Sequence, residues 1–184
     1  MEQLEFQIKR SLLDNSKSRL VLNESYLKFE NKYSVESTAK IFNSEEIFAF
    51  RYGVNWIEYI LNFGREYIIE VQNKNGKILK INFSSYFGIN LKEKHVIYAQ
   101  AVDALWDFYF EKIILNFLND FREEKPINIG EVKIENSGIT IHPDNGLYRK
   151  ATFIEWQNVE TKNYRTYYSI FSKENPSQLN RGYS

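Results

Sequence analysis

Apolar and polar residues alternate with a period of two through most of the first ninety positions. "RLVLN" (19–23) and "YLKFE" (26–30) flank a short Glu24-Ser25 turn, and "TAKIF" (38–42) and "EIFAFRY" (46–52) follow. "REYIIEVQ" (65–72) and "KILKINF" (77–83) face each other across "NKNG", where Asn75-Gly76 fits a type I′ hairpin turn. The N-terminal "QLEFQI" alternates too and reads as a further strand. Period two puts every second side chain on one face, so these segments predict antiparallel strands with one side turned to a core.

The period changes at Asn90. Ile97, Ala101, Leu105, Tyr109, Ile113 and Phe117 recur at helical spacing. Asn90 with Glu93 three residues later fits a capping box, and Pro126 stops the run. The spacing predicts a helix over about 91–124, roughly 50 Å long at ~1.5 Å per residue. Strand character then returns in "INIGEVKIE", "GITIH", "KATFI", "VETK" and "RTYYSIFS".

These later strands repeat the first ones. At a constant offset, "LNESYLKFEN" from Leu22 runs against "IENSGITIHP" from Ile134, and "TAKIFNSEEIFAF" against "KATFIEWQNVETK". Ser25/Ser137, Ala39/Ala151 and Tyr52/Tyr164 are identical, and a twelve-residue deletion then sets Arg65 and Tyr67 on Arg165 and Tyr167. The chain reads as two units, residues 1–124 and 125–184. Hairpin strands followed by one C-terminal amphipathic helix resemble the pleckstrin-homology-like fold, of which bacterial double-barrel versions exist. The resemblance implies a mostly β (α+β) protein: an antiparallel barrel closed by its long C-terminal helix, then a second, partial unit. In the alignment Ser184 falls on Ser84, so the second unit is expected to lack a closing helix of its own. The helix 91–124 serving both units, an element of another chain, or a continuation past Ser184 would complete it.

Composition narrows the function more by exclusion than by assignment. Lys plus Arg and Asp plus Glu balance at 24 each, without the basic excess usual for nucleic-acid binding. Cysteine is absent, which removes thiolate ligands and thiol nucleophiles. The opening "MEQLEFQIKR" has no signal-peptide pattern, and Asp107, Glu111 and Lys112 interrupt the most apolar stretch. The expectation is a cytoplasmic protein with no membrane span. Aromatic residues, at 16%, are abundant, in keeping with strands.

The tripeptide His142-Pro143-Asp144 matches the hallmark of J-domain co-chaperones, but here it follows a strand pattern and runs into Asn145-Gly146, a turn sequence. His95 and His142 have no second ligand at metal spacing. No nucleophile elbow or glycine-rich phosphate loop is present, and neither enzymatic activity nor a cofactor is expected. In the family the resemblance points to, phosphoinositides are held by a basic hairpin between the first two strands. Taken as the hairpin around Asn23-Glu24-Ser25, that element carries an acidic turn, which argues against phosphoinositide binding.

Leu105 to Phe117 is aromatic and aliphatic around most of the helix, more than one core requires. Trp106 and Phe110, with Tyr167 and Tyr168 of "RTYYSIFS", are the candidate partner-contact residues. The expected function is a non-enzymatic binding or assembly module for a protein or peptide, self-association included. The alternative is a carrier of a small hydrophobic or lipid ligand.

Overall fold

Leu20, Leu22, Leu27, Phe29 and Phe42 lie at alternate positions of neighbouring strands, and all are buried. Their burial fixes the register of the first sheet, because a one-residue slip would move every one of them to the other face. The computed structural model describes residues 3–10, 16–31, 39–59, 62–143, 150–164 and 167–183. The sheet runs β1 (Gln3–Ile8), β2 (Ser18–Asn23), β3 (Tyr26–Glu30) and β4 (Lys40–Asn43), in that order and antiparallel. A second sheet holds β5 (Ile47–Tyr59), β6 (Asn62–Asn73) and β7 (Ile78–Tyr86). Tyr67, Ile69, Val71, Leu79, Ile81 and Phe83 form its buried face.

The turn between β6 and β7 differs from the expected type I′. Only Gly76 has a positive φ, and its N–H donates to Asn73 O. The Asn73 side chain accepts from the N–H groups of Asn75 and Lys77, so one asparagine shapes the whole turn.

The helix comes next, as α1 (Leu91–Leu105), a π-helical turn (Trp106–Phe110) and α2 (Glu111–Arg122). Asn90 does not cap it. That residue is left-handed, at φ 56°, and its side chain makes no capping bond. The π turn, marked by Glu111 N–H donating to Trp106 O, has a cause in the sequence. Apolar residues spaced every four positions drift by about 40° per step around an ideal α-helix, which turns roughly 100° per residue. One wide turn corrects the drift. Leu105, Tyr109, Phe110 and Ile113 are thereby all buried.

After the helix come β8 (Ile127–Ile129), β9 (Val132–Glu135), β10 (Gly138–Ile141) and β11 (Thr152–Glu155) in one antiparallel sheet. β12 (Val159–Asn163), β13 (Tyr167–Ser172) and β14 (Leu179–Tyr183) make another. The chain divides into two compact units, Met1–Ile113 and Ile114–Ser184. Each contains a four-stranded sheet followed by a three-stranded one, with a single 3-10 turn between them, at Ser44–Glu46 and at Trp156–Asn158. Matching bonds hold these corners: Ser44 N–H to Ser25 O and Lys74 N–H to Glu46 O, then Trp156 N–H to Ser137 O and Lys173 N–H to Asn158 O.

Two expectations need correction. No sheet closes into a barrel. In the first unit the sheets share no ladder among the described residues, and a backbone bond from Ser84 N–H to Arg10 O links the end of β7 to the segment after β1. The repeat is also offset differently in its second half. Ile47 pairs with Asn73 and Val159 with Ser172, so β13 sits one residue away from the alignment that placed Tyr67 on Tyr167. A register shift between Ile47 and Ala49 adds to the difference.

The helix seat is closely packed around Phe110. Phe110 has no exposed surface and stacks on Phe50 with ring centroids 3.7 Å apart. Replacing it with alanine should lower unfolding free energy by ~3–5 kcal/mol, read by urea denaturation. A loss under about 1 kcal/mol would show that the ring does not support the core.

Candidate functional site

Of the four aromatic residues singled out in the sequence, the helix pair is internal to the first unit. Phe110 is buried against Phe50 and Tyr52, and Trp106 is half-buried. Trp106 Nε1 donates to Tyr52 Oη at 3.1 Å. Tyr168, in β13 of the second unit, is 40% exposed. Tyr167 starts the same strand, but its side chain lies outside the described part of the structure. Phe110 therefore offers no surface to a partner, and Tyr168 does.

The most exposed aromatic surface is one the sequence pattern did not mark. Hairpin β5–β6 continues past Tyr67, which packs on α1, through the pairs Trp56–Arg65, Ile57–Gly64 and Glu58–Phe63. Trp56 is 54% exposed, Phe63 59% and Phe87 54%. Arg65 lies over the Trp56 ring at 4.4 Å, and Phe63 and Phe87 meet edge to face at 5.6 Å. Phe87 N–H donates to Phe63 O, which extends the β6–β7 ladder by one bond. Gly64 lets the strands approach there, because a Cβ at that position would overlap the Ser85 carbonyl. Phe87 has φ 53°, a left-handed backbone that costs a bulky residue free energy. The neighbouring bonds hold it in place and leave its ring in solvent. The signal in the sequence was "GVNWIEYILNF" (53–63), an apolar stretch without the glycine or asparagine pair of a tight turn.

A second feature surrounds the connection from β1 to β2. One cavity of about 100 Å³ is lined by Gln7, Ile8, Lys9, Lys17, Phe83, Asn90, Glu93, Lys94 and Ile97. Another, of about 230 Å³, is lined by Ile8, Arg10, Ser18, Phe29, Asn31, Lys80 and Asn82. Folding thus gathers lysines and an arginine that look scattered in the sequence. Lys94 is buried, its Nζ donates to Ser84 O, and burial holds its amine below the usual lysine value. Lys80 is ion-paired to Glu70 at 2.9 Å. The acidic turn at Asn23–Ser25 connects β2 to β3 and is not the first hairpin. The first hairpin is formed by β1 and β2, whose ends carry Lys9, Arg10 and Lys17.

No group of three or more His, Asp or Glu side chains placed to hold a metal ion occurs among the described residues. His142 Nδ1 lies 3.3 Å from Glu131 O, and the His142 carbonyl accepts from Asn180 Nδ2. The turn expected after Pro143 falls at 144–149, outside the described residues. No described helix is long and apolar enough to cross a membrane. Comparison with protein-family profiles, curated proteins and solved structures finds no match to this chain.

Two buried phenols make the helix seat sensitive to pH. Tyr109 Oη lies 2.6 Å from Asn23 O and 2.7 Å from Tyr26 O, and donates to this pair of carbonyls. Tyr98 packs against the Tyr67 ring at 5.1 Å. Burial, above other causes, pushes both up to about 12. An unfolded tyrosine titrates near 10, so the folded state holds the proton more tightly. That contribution to stability is complete below about pH 10 and is lost as pH rises towards about 12. Urea midpoints should fall across this interval, and should fall less in Tyr109→Phe. An equal fall in both proteins would exclude Tyr109 as a source.

Proposed function

We propose that the chain is a non-enzymatic binding module that contacts a protein or peptide through the β5–β6 ribbon of a pleckstrin-homology-like first unit. The order of four strands, three strands and a helix in that unit supports the fold reading. The observation that carries the function is the exposed trio Trp56, Phe63 and Phe87 on a hydrogen-bonded ribbon. Tryptophan and arginine are the residues most enriched at binding hot spots, and Trp56 has Arg65 stacked on it. Ordering such side chains before binding reduces the entropy lost on association.

A photo-crosslinking residue in place of Phe63, used in cells, should give one discrete protein adduct that Trp56→Ala abolishes. The same residue in place of Glu45, on the short 3-10 turn, should not give it. Equal labelling from both positions, or an adduct indifferent to Trp56, would reject the ribbon as the contact surface.

The lysine-lined cavity supports a second reading, a site for a phosphate-type anion. Three amines around about 100 Å³ suit a small anion, and one of them, Lys94, is buried. Inorganic phosphate or a soluble inositol phosphate should then bind saturably, with Lys17→Ala and Lys94→Met each weakening it about tenfold or more. Equal affinity in these variants, or no binding of either probe, would remove the reading.

A further inference from the structure

Helix α2 carries an apolar stripe that its own unit does not cover. Ile113 is buried and Phe121 meets Trp156 edge to face at 6.4 Å, so one side of α2 faces its own chain. Next to it, Ile114, Leu115 and Leu118 are 36%, 52% and 45% exposed. Glu111, Ile114, Leu115, Leu118 and Arg122 follow the spacing of a single helix face and fall within about 100° of arc. Glu111 stands at the start of that stripe and Arg122 at its end, both exposed. No ion pair to either occurs among the described residues.

This pattern is self-complementary. Place a second α2 antiparallel to the first, about a twofold axis crossing between Asn116 and Phe117. Leu115 then faces Leu118 of the other copy, Leu118 faces Leu115, and Glu111 and Arg122 meet as opposite charges at both ends. A twofold contact requires that each side present the same patch to itself, and this stripe does so in both shape and charge. A different partner would need complementary charges of its own. A second copy supplies them without further conditions.

We infer that two copies of the chain associate through antiparallel α2 helices, with Leu115 and Leu118 at the centre and Glu111–Arg122 pairs at both ends. The contact is independent of the β5–β6 ribbon. Twelve residues give a seam of about 18 Å, shorter than a standard interface requires, so the dimer is a reversible one that depends on concentration. Packing near the antiparallel angle of helix bundles brings the axes within about 8–10 Å.

Sedimentation velocity over a concentration series tests this with charge reversals that leave the helix exposed and its core face unchanged. The wild-type protein should show a monomer–dimer equilibrium. Glu111→Lys and Arg122→Glu should each weaken it about tenfold or more, because each places like charges together at two ends. The double variant Glu111→Lys/Arg122→Glu should restore association towards the wild-type value. Leu115→Asp should abolish it while leaving the thermal unfolding midpoint close to wild type. A monomer at every concentration would overturn the inference, as would a dimer unaffected by Leu115→Asp. A double variant no better than the single ones would overturn the antiparallel pairing.

Discussion

The seating of one helical turn between two sheets is the constraint on which the first unit depends. At Tyr109 and Phe110 two adjacent residues are both buried and both engaged with strands. Phe110 stacks on Phe50 of β5, and the Tyr109 hydroxyl bonds carbonyls at the β2–β3 turn. The first contact is to the second sheet and the other is to the first sheet. An ideal α-helix turns neighbours about 100° apart, and the π turn widens the local helix where this pair is needed. The sheets form no common ladder, so these two side chains do what closure of a barrel would otherwise do. This is also why so aromatic a helix stays with its own strands instead of lying on a surface.

The second unit repeats the strand order with a different chemistry at the corresponding place. Val71 of β6 is flanked across the sheet by Phe50 and Leu79, and Ile170 of β13 by Thr161 and Asn180. The seat for an aromatic helix residue is therefore missing, and a polar attachment takes its place. Asn180, buried, reaches Glu131 and the His142 carbonyl, tying β14 to the other sheet of its unit. Its apolar core is small, with Ile139, Ile141 and Ile154 fully enclosed and Val132, Ile134, Val159 and Ile170 around them. Thr161 and Asn180 thus stand beside Ile170 where Phe50, the residue on which Phe110 stacks, and Leu79 stand beside Val71. The expectation that this unit lacks a closing helix came from the alignment of Ser184 with Ser84.

Strands and helix were legible because burial on one side writes a period into the sequence, two for β3 and β6 and near four for the helix. The corner turns were legible in the aligned "NSEE" and "EWQN", which fold alike because both join the fourth strand to the fifth. Other features left no local signal. The Asn73 side chain sets the β6–β7 turn, where the adjacent "NG" pair suggested type I′. Asn90 and Glu93 match a capping box by spacing, yet the chain enters the helix from a left-handed turn that aims Asn90 elsewhere. β1 was visible, but its pairing with β2 was not used to locate the first hairpin, and the basic surroundings of Lys9, Arg10 and Lys17 went unseen. The candidates Trp106 and Phe110 were chosen for aromatic excess, a property that buried and exposed surfaces share.

What separates the two kinds of surface is whether neighbouring backbone restrains the ring. Phe110 is held by packing on every side, so its apolar area stabilises the fold and nothing else. Phe87 is held by a backbone in an unfavourable conformation and by one hydrogen bond to Phe63, and more than half of its side chain remains in water. The α2 stripe is a milder case, three aliphatic side chains on a regular helix whose opposite side is already engaged. Both surfaces lie on regular elements, the ribbon on paired strands and the stripe on a helix. Within the first unit, the packing of Phe50, Tyr109 and Phe110 fixes the strands from which Trp56 projects.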